Sequence, residues 1–144
     1  SQLFLLPFLV LVGSLAFNIL YVSLVAMVGL EEFSPPSLPP GLGFHGSAVV
    51  IGFLILVIWG PVAEEVFFRG FVFAGSVNRL GPRGAAFFSA ALFALAHMLV
   101  GMIIPALFTG ILLAWLYYKT RSLWTSFIAH AAQNTLAFLS SGIT

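Results

Sequence analysis

Six polar side chains stand out from an otherwise apolar chain. Glu64, Glu65 and Arg69 lie in GPVAEEVFFRGFVF, His97 lies in FALAHML, and His130 and Asn134 lie in HAAQN. Their types suit acid–base chemistry at a carbonyl: a carboxylate or imidazole takes a proton from water, and hydrogen-bond donors hold the oxyanion that the attack creates. Glu65 and Arg69 stand at i and i+4 with the acid N-terminal, the favourable order for a helical ion pair, and such a pair neutralises itself. Glu64 lies about 100° further round the helix and lacks that partner, so it is the carboxylate free to act as a general base. His130 and Asn134 are again i and i+4, face one place, and can donate to a developing oxyanion.

The elements that must position these groups are membrane helices. The chain has 144 residues, of which 61% are hydrophobic and 6% charged. Soluble domains carry about 25% charged residues, so this chain cannot cover a water-facing surface, and lipid is its solvent. It has no cysteine, which excludes disulfides, thiolate metal sites and a cysteine nucleophile. All four acids are glutamates, so an intramembrane aspartyl pair is excluded as well. No basic patch exists, and no nucleic-acid partner is expected.

Apolar runs cover residues 3–30, 47–76, 84–100, 102–118 and 123–139. The reading is an all-α, polytopic transmembrane helix bundle of about five spans, forming a single domain over residues 1–144 with its motif core at 60–137. The chain starts without a methionine, as a processed protein or a part of a longer one would. Its first run has no basic flank in view and is too long for a signal-peptide core, so it reads as a retained span. The loop EEFSPPSLPPGLGFH is too rich in proline for regular helix. Pro61 predicts a kink in the second span one turn before Glu64, and Gly101 predicts a tight turn between the third and fourth.

Five spans place the loops at 77–84 and 119–122 on one side. They hold Arg79, Arg83, Lys119 and Arg121, every basic residue but Arg69, so the positive-inside rule predicts that they are cytoplasmic. Tyr117, Tyr118 and Trp124 flank the second of them as an aromatic belt. Counted from these loops at the helical rise, Glu64 lies roughly 20 Å deep, His97 roughly 18 Å, Asn134 roughly 16 Å and His130 roughly 10 Å. An ionisable group at such depth costs at least about 2.5–3.5 kcal/mol and is functional by default. Three spans thus deliver polar groups to a similar level.

Each group also has a structural reading. Glu65 with Arg69 suffices as an ion pair, His97 as a packed histidine bonded to a backbone carbonyl, and His130 with Asn134 as polar contacts between helices. Ser89, Thr109, Ser126, Ala90/Ala94 and Gly110/Ala114 read as packing residues. The convergence of the six is what five separate packing roles leave unexplained.

The motifs EExxxR (Glu64, Glu65, Arg69), FxxxH (Phe93, His97) and HxxxN (His130, Asn134), in that order, resemble the CPBP family of intramembrane proteases. That family includes the CAAX prenyl endopeptidases and bacterial bacteriocin-processing or immunity proteins. The resemblance covers about half the chain. It implies a glutamic-type membrane endopeptidase without a covalent intermediate, in which Glu64 and His97 activate a water. It further implies that His130 and Asn134 steady the oxyanion, while Glu65 and Arg69 support the helix and tune Glu64. Better-known members usually have more spans. The expected partners are the bilayer and a membrane-associated peptide or protein substrate, with no cofactor.

Two other functions fit the same residues. One is a zinc-dependent membrane peptidase with Glu64, His97 and His130 as ligands, a chemically adequate set that lacks the H-E-x-x-H helix. The other is a non-catalytic helical subunit of a larger membrane complex, its 16 phenylalanines packing against partner membrane subunits.

Overall fold

The computed structural model describes residues 2–36 and 45–140. Part of the proline-rich loop, residues 37–44, lies outside the described residues. No strand occurs among those described. Helix α1 (Gln2–Val28) ends where Gly29 takes a left-handed conformation (φ 75°) that glycine adopts without steric penalty. A short 3-10 turn, Glu31–Phe33, follows. The hydroxyl of Tyr21 donates to the carbonyl of Phe33 at 2.8 Å, which ties that turn back onto α1.

Residues 47–96 form one long helical run whose geometry changes along its length. It comprises α2 (Ser47–Phe53), a π-helical stretch π1 (Leu54–Trp59), α3 (Gly60–Glu64), a second π-helical stretch π2 (Glu65–Phe73) and α4 (Ala74–Ala96). Within α4 the backbone turns back at Gly81 (φ 68°, ψ 170°), immediately before Pro82. The run is therefore a hairpin of two arms. The hydroxyl of Ser89 on the return arm donates to the carbonyl of Phe68 on the outgoing arm at 2.7 Å. Phe68 and Phe93 meet edge-to-face between them. Helix α5 (Val100–Thr120) then packs along the return arm, and α6 (Leu123–Ser140) lies against α1, α5 and the outgoing arm. The five apolar runs thus correspond to α1, the two arms, α5 and α6.

Among the described residues, three helices are long and apolar enough to cross a membrane: Phe4–Val28, Ser47–Ala96 and Val100–Thr120. Helix α6 carries His130, Gln133 and Asn134 and is not among them. Large apolar side chains such as Phe4, Ile19, Phe71, Phe87 and Trp124 are exposed, as lipid-facing positions should be. The protein is an integral membrane helix bundle.

Small residues carry the interior. Ala86, Ala90, Ala94, Ala106, Gly110 and Ala114 are all buried where α4 and α5 cross, and such residues let membrane helices approach closely. A Cβ on Gly110 would come within 3.0 Å of the Cα and Cβ of Ala90. Ser89, Thr109 and Ser126 are buried, as their packing roles require.

One expectation is corrected. Gly101 is not a turn but a buried position inside α5. The turn lies just before it, with Met98 left-handed at φ 52°. Gly101 is small because a Cβ there would collide with the carbonyl of Ser34. The backbone stays in the right-handed helical region through Trp59 and Gly60. Just before Pro61 the helix is widened by π1. Proline lacks an N–H and its ring clashes with the preceding turn, and the wider turns absorb both effects.

Candidate active site

The outgoing arm of the hairpin presents Glu64 and Glu65 at the junction of α3 and π2, mid-way along that arm. Glu65 and Arg69 are buried to within 1% of completely, and Arg69 Nη1 lies 3.0 Å from Glu65 Oε1. This is the expected i, i+4 ion pair. Burying a cation needs more than one partner, and the fold supplies two more. Arg69 Nη2 donates to the carbonyl of Gly110 at 3.3 Å, and the guanidinium sits 4.6 Å from the centroid of the Phe93 ring, within cation–π range. The absence of a side chain at Gly110 is what brings α5 close enough. Arg69 Nε and Glu65 Oε2 are buried with no hydrogen-bond partner.

His130, delivered by α6, enters between the two glutamates. Its Nδ1 donates to Glu65 Oε1 at 2.9 Å, and its Nε2 faces Glu64 Oε2 at 3.5 Å. Glu65 therefore does for His130 what a buried carboxylate does for a catalytic or metal-bound imidazole: it fixes the ring and the tautomer. Glu65, expected to pair with Arg69, has a second dependent in His130. Glu64, expected to stand without a partner, has the imidazole beside it at a looser distance. The two carboxylates also differ in access, since the Glu64 side chain is 37% exposed and that of Glu65 is 1% exposed. Glu64 is the carboxylate a substrate or water can reach.

His97 closes α4. Its Nδ1 donates to the carbonyl of Phe93 at 2.8 Å, the bond that a packed histidine would make, and the ring's Nε2 is left for another partner. Its link to the rest of the site is Phe93. The His97 and His130 rings both meet that phenylalanine edge-on, with centroids at 4.7 and 5.6 Å, while Arg69 covers a face. Phe93 is thus the shared wall of the site, a role that sequence reasoning gave only as a motif letter.

Asn134 does not share His130's partners. Its Nδ2 donates to the carbonyl of Leu56 at 2.9 Å, and the reason lies in Pro61. In π1 the N–H of Gly60 bonds the carbonyl of Ile55, five residues back. The next bond in that series would run from residue 61 to Leu56, and proline has no N–H to give. Asn134 supplies the missing donor. Gln133 beside it joins three helices, accepting from the buried hydroxyl of Ser14 at 3.1 Å and donating to Thr109 at 3.4 Å. Neither the Pro61–Leu56–Asn134 relation nor the Gln133 bridge was legible in the sequence, although a polar Gln beside Asn134 in an apolar helix was a signal. The trio Glu64, His97 and His130 does not converge as metal ligands would; no group of three acidic or histidine side chains does so among the described residues.

Residues 46–136 match the family described as type II CAAX prenyl endopeptidase Rce1-like. The chain belongs to that family. The matched region of this Rce1-like chain holds all six candidate residues. The chain is also 26% identical over 92 residues to the Bacillus subtilis (strain 168) protein described as "Putative membrane peptidase YdiL". That match covers 64% of this chain and 38% of the bacterial protein. No solved structure matches. The Rce1-like family is one of endopeptidases, hydrolases of peptide bonds.

Proposed function

We propose that this chain is the core of an intramembrane endopeptidase in which Glu64 is the general base. The observation that carries this reading is the contrast between the adjacent glutamates. Glu65 is sealed against Arg69 and His130, whereas Glu64 is 37% exposed beside the same imidazole. Glu64, with His97, takes a proton from a water; the hydroxide adds to the scissile carbonyl carbon and gives a tetrahedral oxyanion. The His130 imidazole and the second amide hydrogen of Asn134 steady that oxyanion. The proton held by Glu64 passes to the leaving nitrogen as the C–N bond breaks, which gives a carboxylic acid and an amine, and the acid's proton then moves to the amine. Glu65 and Arg69 act through His130 by holding its ring.

The substrate is a membrane-associated peptide or protein. Family membership adds a prenylated CAAX peptide as the first substrate to try. The loops at 77–84 and 119–122 are proposed to be cytoplasmic. In support, the 3-10 turn bearing Glu31 and Glu32 packs near the start of α5, where Ser34 meets Gly101, while Lys119 and Arg121 lie at its other end.

The test is cleavage by the purified, detergent-solubilised protein of a farnesylated CAAX peptide and a pool of membrane-protein peptides. Wild type, Glu64→Gln and His97→Ala are run with and without a metal chelator. Cleavage lost in both variants and retained in chelator supports the metal-free glutamate reading. Loss in chelator moves the chemistry to zinc. Full cleavage by Glu64→Gln removes the proposal.

A further inference from the structure

A groove of about 470 Å³ opens between the start of the return arm and the end of α5. Its size falls within the roughly 300–1,000 Å³ of ligand pockets. Arg83 on α4 and Lys119 on α5 both line it, together with Phe87, Ala114, Trp115 and Tyr118. Neither cation has an ion-pair partner among the described residues. A third cation, Arg121, lies 4.9 Å from the centroid of the Tyr118 ring at the same end. The groove therefore has two chemically different ends. One is cationic and sits where the helices stop; the other is apolar and runs along the helix pair.

We infer that this groove binds an anionic phospholipid, with its phosphate between Arg83 and Lys119 and an acyl chain along Phe87 and Trp115. The charge is right, because basic pockets between membrane helices capture phosphate headgroups, each cation contributing about a fivefold preference near an anionic surface. The shape is right too. Buried Ala86 and Ala114 on its floor leave room between the helices, and Trp115 and Tyr118 are the amphipathic rings found at headgroup level. A peptide or soluble anion would use the cations and leave the apolar floor wet. A lipid satisfies both ends at once.

The experiment uses the full chain in detergent, with bound lipid counted by native mass spectrometry after incubation with phosphatidylglycerol or phosphatidylcholine. Inorganic phosphate and glycerol phosphate serve as soluble competitors. The expected result is preferential retention of phosphatidylglycerol by roughly fivefold or more, unaffected by millimolar phosphate. It should be lost in Arg83→Gln/Lys119→Gln and kept in Arg79→Gln, a cation at the same end that does not line the groove. Equal retention of both lipids overturns the inference, as does survival of the preference in the double variant or its equal loss in Arg79→Gln. Displacement by free phosphate overturns the lipid and leaves a phosphate site. Should the double variant fail to fold, Lys119→Gln alone, expected to keep only part of the preference, carries the same comparison.

Discussion

His130 donates from Nδ1 to Glu65 at 2.9 Å across 65 positions of sequence, and this bond ties α6 to the outgoing arm of the hairpin at its buried charge pair. Through it the two adjacent glutamates are given different work. Glu65 becomes the buried anchor of both Arg69 and His130, and Glu64 becomes the accessible acid.

Breaking that anchor should unfold the protein before it alters the chemistry. Glu65→Gln leaves Arg69 with an uncompensated charge and should lower stability by about 3–5 kcal/mol. The double variant Glu65→Gln/Arg69→Met removes both charges and should lose less than the single one. Thermal unfolding in detergent reads the order, and a double variant weaker than Glu65→Gln would contradict it.

Asn134 and Pro61 should be energetically coupled. Asn134→Leu strips the Leu56 carbonyl of its donor, which should cost about 1–3 kcal/mol. In a Pro61→Ala background residue 61 has an N–H again, and the same change should cost less. A double-mutant cycle measures the coupling, expected at about 0.5 kcal/mol or more. Strict additivity would show that the backbone gap is not what Asn134 fills.

Gly110→Ala should force α4 and α5 apart, because its methyl would crowd Ala90 and the Phe93 ring at 3.0–3.2 Å. Overpacking of this kind costs about 1–3 kcal/mol. The bond from Arg69 to the Gly110 carbonyl should lengthen with it. Unchanged stability in Gly110→Ala, measured by the same unfolding assay, would mean that the helix crossing has more slack than its geometry shows.

Glu64→Gln and Gln133→Leu should separate chemistry from architecture. Glu64→Gln should retain its unfolding temperature and lose cleavage by about 100-fold or more. Gln133→Leu loses two interhelical bonds worth about 0.6 kcal/mol each on average, so it should be measurably less stable and still cleave. The opposite pattern in either variant assigns it the other role.

The helical class and the boundaries of α1, α5 and α6 were legible because lipid permits little else: uncharged runs of the right length must be helices. The pair Glu65–Arg69 was legible because it is local, set by one turn of one helix. What connects separate helices was not. The contacts of His130 with both glutamates, of Asn134 with Leu56 and of Gln133 with Ser14 depend on how helices rotate against one another. Here that rotation is altered by two π-helical stretches that no hydropathy pattern encodes. Gly101 was misplaced for a related reason. Glycine marks both turns and close approaches, and only packing tells them apart.

The bend at Gly81 also sets an order of assembly. The arm bearing Glu65 and Arg69 and the arm bearing Ser89 and Phe93 are synthesised back to back, and they fold as a hairpin that can enter the bilayer as one body. Arg69 is then sheltered by a ring from its own hairpin before α5 or α6 exists. Gly110 and His130 belong to the helices that follow, so the hairpin by itself carries the charge pair and the Phe93 ring but not the histidine. The cluster is completed only when α6 docks, and until then a membrane already holding this hairpin holds no finished site.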